Sequence, residues 1–229
     1  MTHAANATDV RLTEPLYTVR EAAMYLKVSP NTLEYWARGR NGTPPLLHAV
    51  PAGGRHRPEL PFVALAEGLV VAAFRRAGAS MQYVRKAVDA IRRDIGFEYA
   101  LASRKLHLHG AQILWDHATD PAAKRELAEV VTKNRVFDPV VVGYLELMTY
   151  AEDDLASSLV LPLTQRPTLK TDPRIAFGQP VFIRGGGRME DVLDRFSAGE
   201  DPGDLAEDFG VPVEDVYELL RAFIPQEAA

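Results

Sequence analysis

"EAAMYLKVSPNTLEYWARGR", residues 21–40, is the stretch on which the fold turns. A short apolar helix, a Ser-Pro break and a second helix ending in arginines sit inside a chain whose net charge is −5. Just upstream, Thr18-Val19-Arg20-Glu21 forms a capping box, in which the Thr hydroxyl and the Glu carboxylate satisfy amides left free at a helix start. Ala22, Ala23 and Leu26 supply a small apolar face. Ser29 is an N-cap, and Pro30 takes the first helical position, where its missing N–H costs nothing. Leu33 and Trp36, three apart, turn inward and leave Asn31, Thr32, Tyr35 and Arg38 for the outside. Two helices joined by so short a corner predict a helix-turn-helix.

Working outward, "LLHAVPAGGRHRPEL" (46–60) places Gly53-Gly54 between short apolar strands, the signal for a hairpin. Its tip and return carry Arg55, His56 and Arg57. A helix follows from Pro61 to Ala77, closed by Gly78, and Ser80 opens another running to about Asp94. Arg75, Arg76, Arg85, Lys86, Arg92 and Arg93 are expected on the outer faces of both.

From Phe97 the period changes. "FEYALASRKLHLHGAQILWD" (97–116) alternates and predicts a β-hairpin, "ELAEVVTKNRVFD" (126–138) another strand, "PVVVGYLELM" (139–148) a short helix, and "SSLVLPL" (157–163) a final strand. Pro162, Pro167 and Pro173 then mark a linker. Beyond it lie a Gly/Pro-rich turn region and three short helices, with Val192, Leu193, Phe196, Leu205, Phe209, Val216, Leu219, Leu220 and Phe223 at core spacing. The expected architecture is α+β. A tail (1–15) precedes a winged helix-turn-helix (16–95), then a β-containing, dimerising middle segment (96–166) and an acidic helical domain (167–229).

With 47% apolar and 25% charged residues, the chain can bury a core. No apolar run reaches the roughly 18 to 20 residues of a membrane helix. The first dozen residues lack the basic start and apolar stretch of a signal peptide. The absence of cysteine excludes disulfides, thiolate metal sites and a cysteine nucleophile, and suits a cytoplasmic protein. Charge is strongly partitioned: Leu16–Arg93 carries twelve Lys/Arg against five Asp/Glu, and Asp172–Ala229 five against thirteen. Opposite signs at the two ends imply different partners.

The positive end has the parts of a reader of double-stranded DNA. Arginines hold phosphates, and small polar or planar side chains at the start of the second helix reach base edges. The candidate DNA-binding residues are Ser29, Asn31, Thr32, Tyr35, Arg38, Arg40, Arg55, His56 and Arg57. A homodimer is expected, because one such helix covers too few base pairs for a specific site. No nucleophile, base and oxyanion set can be assembled, so an enzyme is not expected. Gly185-Gly186-Gly187 lacks the Lys-Ser/Thr of a phosphate loop. His107 and His109 have no third ligand at a recognisable spacing, and Glu152 to Asp154 suit a solvated loop. No metal or cofactor is expected.

"YTVREAAMYLKVSPNTLEYWAR", the Gly-Arg wing and "PFVALAEGLVVAAFRRAGASMQYVRKAV" together resemble the winged helix-turn-helix of MerR-type regulators over about the first 95 residues. That resemblance implies a second helix in the major groove, a wing on the backbone and dimers on inverted repeats. It lacks the family's long dimerising helix and its cysteine ligands. "DPRIAFGQPVFIRGGGRMEDVLDRFSAGEDPGDLAEDFGVPVEDVYELLRAF" resembles a small bacterial domain of formerly unknown function associated with VapB-type antitoxins. Asp172, Pro173, Ile175, Gly178, Pro180, Gly185 and Arg188 match its pattern D-P-x-I-x-x-G-x-P-x-I-x-G-T-R-I, with Gly186-Gly187 at the expected Thr. The pair of resemblances implies an antitoxin that holds a PIN-domain, VapC-type ribonuclease and represses their shared operon. Arg184 and Arg188 are then candidates to meet the nuclease's metal-binding carboxylates. Two alternatives stay open. One is a small-molecule-sensing regulator with a pocket around Tyr99, Trp115, Phe137 and Tyr144; the other is a phage-type excision or partition accessory protein.

Overall fold

The computed structural model describes residues 9–40, 42–51, 53–54, 57–106 and 143–223. Helices and strands are numbered over those residues. A single turn, α1 (Val10–Thr13), is capped by Asp9 and leads to α2 (Val19–Tyr25). The capping box at the start of α2 is complete: Glu21 N donates to Thr18 Oγ1 at 3.2 Å, and Thr18 N donates to Glu21 Oε2 at 2.8 Å. After a corner in which Lys27 takes a positive φ of 51°, Ser29 caps α3 (Pro30–Arg38) by accepting from Thr32 N at 3.1 Å. Gly39 ends it. Its φ is 67°, and a Cβ there would lie 2.1 Å from the Thr43 carbonyl oxygen, so no other residue fits.

Helices α4 (Phe62–Arg76) and α5 (Met81–Ile95) follow as expected. Every residue from Phe62 to Phe74 is buried, which makes α4 the axis of the molecule rather than a surface helix. Gly68 lets α2 approach it, since a Cβ there would stand 2.7 Å from Leu26 Cδ1. Even Glu67 is fully buried on this helix. Its carboxylate accepts from His48 N at 2.9 Å, meets His48 Nδ1 at 2.7 Å and lies 3.5 Å from Arg92 Nη2.

Three expectations fail here. The loop before α4 forms no strand ladder among the described residues. It is pinned by Val50 N donating to the Glu59 carbonyl at 2.9 Å, and Leu60 forms a single bridge with Tyr17. The stretch 97–103, read as alternating strand, instead turns and makes a 3-10 turn at Ala100–Ala102, with all three side chains buried. Finally, the Pro162–Pro173 segment is no linker. Strands β1 (Met148–Tyr150), β2 (Ala156–Val160), β3 (Leu169–Thr171) and β4 (Val181–Phe182) form one antiparallel sheet in sequence order, with Leu159 opposite Thr171 and Leu169 opposite Phe182. The supposed final strand is therefore second of four, and the sheet crosses the expected boundary at 166/167.

The chain closes with α6 (Met189–Ser197), α7 (Pro202–Phe209) and α8 (Val213–Phe223). Val192, Leu205, Val216, Leu219 and Leu220 are buried, while Leu193, Phe196, Phe209 and Phe223 pack at its margin. All join one hydrophobic core with α2 to α5. The ends of the chain also meet through polar groups. The buried Tyr17 hydroxyl lies 2.7 Å from Thr171 Oγ1 and donates to the Gly178 carbonyl at 2.9 Å. Burial pushes this phenol's pKa well above its ordinary value, so it stays a neutral donor. Arg11 ties Asp9 to Asp153 in the same region.

Candidate nucleic-acid interface

Helix α3 presents its polar side to solvent, with Leu33, Trp36 and Ala37 buried beneath it. Asn31 is exposed on the first turn. Ser29 and Thr32 are occupied with each other, their hydroxyls 2.8 Å apart, as the cap requires. Tyr35 is half-buried, with the Arg85 guanidinium 5.0 Å above its ring. Beyond Gly39, Arg40 is exposed and its backbone bridges to Thr43.

An open cleft of about 810 Å³ lies between the start of α2, the outer side of α3 and the loop before α4. Arg20, Arg38 and Arg57 converge on it, together with Glu34 and Glu59. Arg38 is not free. Its Nη2 meets Glu59 Oε1 at 2.7 Å and its Nη1 meets Glu34 Oε1 at 3.1 Å. The hydrogen bond it donates to Glu59 is the main cause of a raised Arg38 pKa. Glu59 is buried in the stem of the loop, where its N–H bonds the Tyr17 carbonyl at 3.0 Å. Arg38 thus ties α3 to that stem. Among the described residues Arg20, Arg40 and Arg57 make no ion pair; Arg20 and Arg57 carry the uncompensated charge of the cleft. Arg55 and His56 lie outside the described residues, as do His107, His109, Trp115 and Phe137.

The arginines of α4 and α5 lie on the outside as expected, with Arg75, Arg76 and Arg93 exposed, and three of them also reach back toward this motif. Arg76 Nη2 donates to the carbonyls of Leu26 and Lys27 at 2.6 and 3.3 Å, closing the C-terminus of α2. Arg85 Nη1 reaches the Pro44 carbonyl at 2.6 Å, and Arg92 Nη2 the Leu46 carbonyl at 2.7 Å. Arg75 donates to the Ala79 carbonyl. A neutral acceptor orders a guanidinium without cancelling its charge, so this face remains positive.

Sequence reasoning missed Arg20 and Glu59. The first sits on the exposed side of α2, two residues after the capping threonine. The second is an acid inside a basic stretch, a signal that could have marked it as a partner.

At the other end, Asp215 accepts from Arg184 Nε and Nη2 at 3.0 and 2.6 Å, and Asp191 accepts from Arg188 Nε at 2.8 Å. Both candidate nuclease-contacting arginines are therefore already answered by carboxylates.

Comparison with known proteins decides the family. A model described as "Putative DNA-binding HTH domain" matches residues 15–88, and one described as "Protein of unknown function (DUF433)" matches residues 169–221. The chain is 36% identical over 230 residues to a protein of Mycobacterium tuberculosis (strain ATCC 25618 / H37Rv) named "Putative antitoxin VapB45", covering 93% of this chain and 96% of the relative. This chain belongs to that protein's family. A crystal structure of Rv2018 from Mycobacterium tuberculosis matches with a TM-score of 0.80 at 35% identity, over 92% of this chain and 99% of that one. The first family match contains the whole cleft, and the second begins on β3. The contact between Tyr17 and Thr171 therefore joins the two matched regions across 154 residues.

Proposed function

We propose that this protein is a DNA-binding antitoxin that represses its own operon and holds a PIN-domain, VapC-type ribonuclease. The observation that carries the DNA half is the cleft beside α3, where Arg20 and Arg57 stand without carboxylate partners among the described residues, with Arg40 exposed just beyond the helix. Helix α3 enters the major groove with Asn31, Thr32 and Tyr35 toward base edges. The loop carrying Arg55, His56 and Arg57 acts as a wing on the backbone, and Ser29 aligns the helix start with a phosphate. Arg38 contributes chiefly by fixing α3 against the wing stem through Glu59.

The name of the M. tuberculosis relative supports the antitoxin half, as does the acidic C-terminal region, which suits a protein partner better than a polyanion. Arg184 and Arg188 remain candidate nuclease contacts, each exchanging Asp215 or Asp191 for a carboxylate of the enzyme. A non-catalytic regulator follows from both halves. The sensor alternative has no specific observation in its favour: Tyr99 packs on His48 with ring centroids 4.6 Å apart, whereas Tyr144 sits beneath Arg76.

Fluorescence anisotropy with the duplex upstream of the gene tests the first half. Specific binding that loses its sequence preference in Asn31→Ala is expected; equal affinity for unrelated duplexes would overturn it. Co-expression with the nuclease encoded beside the gene, followed by capture on the full chain, tests the second. Failure to retain an intact nuclease would overturn that.

A further inference from the structure

Phe177 is 88% exposed, the largest exposure of any large apolar side chain among the described residues. Its backbone is strained in order to place it there. Ala176 and Phe177 both adopt positive φ, 48° and 53°, a conformation that costs a non-glycine residue on the order of 1 kcal/mol or more. The turn is anchored from below, because the Tyr17 and Thr171 hydroxyls both converge on the Gly178 carbonyl. A phenyl ring held in water by a strained and firmly anchored turn marks a contact that the isolated chain does not complete.

The ring borders a groove of about 560 Å³ with Val10, Pro15 and Leu16 on its other wall. Val10 is 42% exposed. A projecting aromatic and an apolar hollow thus occupy one surface. The same groove carries an exposed acid and a guanidinium with one free edge. Glu14 is exposed and makes no ion pair among the described residues. Arg174 is held by Asp172 through Nε and Nη2, which leaves Nη1 without a partner among the described residues.

A patch that presents both a knob and its hollow, and both an exposed carboxylate and a free guanidinium edge to meet it, is complementary to itself. That is the requirement of a two-fold interface, where residue i of one copy meets j of the other and j meets i. A nuclease site rich in carboxylates would instead select a surface of one sign. We propose that this patch is where a second copy of the chain docks. Each Phe177 enters the partner's groove, and each Glu14 faces the partner's Arg174. The inference does not depend on DNA or on any nuclease.

Light scattering on the eluting full-length protein tests it. Wild type is expected at twice the chain mass, and Phe177→Ser, checked for an unchanged circular dichroism spectrum, at the single mass. Glu14→Arg and Arg174→Glu set like charges against each other in a homodimer, so each alone is expected at the single mass. An equimolar mixture of the two restores both pairs and is expected to return to twice the mass. A single-mass wild type, a Phe177→Ser variant still at twice the mass, or a mixture that fails to associate would each overturn the proposal. A single-mass wild type that captures the nuclease only with Phe177 intact would reassign the patch to that enzyme.

Discussion

The two ends of this chain use arginine in opposite ways. Around the helix-turn-helix, Arg76 and Arg85 bond to backbone carbonyls of Leu26, Lys27 and Pro44, while Arg92 is shared between the Leu46 carbonyl and the buried Glu67. In the C-terminal region Arg174, Arg184, Arg188 and Arg195 bond to Asp172, Asp215, Asp191 and the pair Glu200 and Asp208. Both arrangements order the side chain, but only the second neutralises it. A carbonyl-held arginine serves as a structural clamp and a source of positive field at once. A carboxylate-held one leaves a helix face whose remaining acids set the sign. The charge partition read from the sequence therefore survives folding, because of what the arginines touch.

The change expected to matter most removes Glu67, the fully buried acid of the positive end. Glu67→Ala strips His48 N of its acceptor and leaves Arg92 without its carboxylate. It is expected to cost about 3–5 kcal/mol in urea-induced unfolding. A small effect would mean that the positive end tolerates uncompensated charge on its own. A paired substitution sharpens the comparison. Arg184→Met orphans the nearly buried Asp215 and is expected to cost about 2 kcal/mol, while Arg85→Met loses one carbonyl bond and costs about 1 kcal/mol. Affinity for the upstream duplex should fall only in Arg85→Met, so the less destabilising variant has the larger effect on binding.

Tyr17→Phe probes the seam between the two ends. It deletes a hydroxyl from the Thr171 and Gly178 cluster and is expected to lower stability by about 1 kcal/mol, read as a lower melting temperature. The smallest effect belongs to Asp153→Asn, about 0.5 kcal/mol at neutral pH for a half-exposed pair. The hydrogen bond from Arg11 holds the Asp153 carboxyl below its ordinary pKa of 3.8. Its contribution is thus complete above that value and is lost as pH falls through the folded pKa. The gap between wild type and variant should close in acid, and a gap that persists there would assign the effect to packing.

The helix starts were legible because caps are written locally. Thr18 with Glu21, Ser29 with Pro30, and Ser80 each open the helix that their spacing predicts. The outer residues of α3 were legible for the same reason, since Leu33 and Trp36 fix which side is buried. Pairing was not legible. Strands β3 and β4 are three and two residues long within Gly/Pro-rich sequence, and only their hydrogen-bonded neighbours make them strands. Residues 97–103 read as strand in the sequence, but the turn there buries Ala100, Leu101 and Ala102 in succession, which no strand facing water on one side would do. The partners of the arginines were hidden for a simpler reason: a backbone carbonyl has no sequence signature. That is why Arg38 reads as a free DNA contact until Glu59 is found 2.7 Å away.

The central claim is that Arg40 and Arg57 meet phosphate while the C-terminal arginines do not. The direct measurement is the salt dependence of binding to the upstream duplex. For Arg40→Ala with Arg57→Ala, the slope of log affinity against log salt should shrink by about two per protomer, since each lost phosphate contact removes about 0.9. Arg184→Ala should leave that slope unchanged. An undiminished slope in the double variant, or an equal loss from Arg184→Ala, would contradict the account.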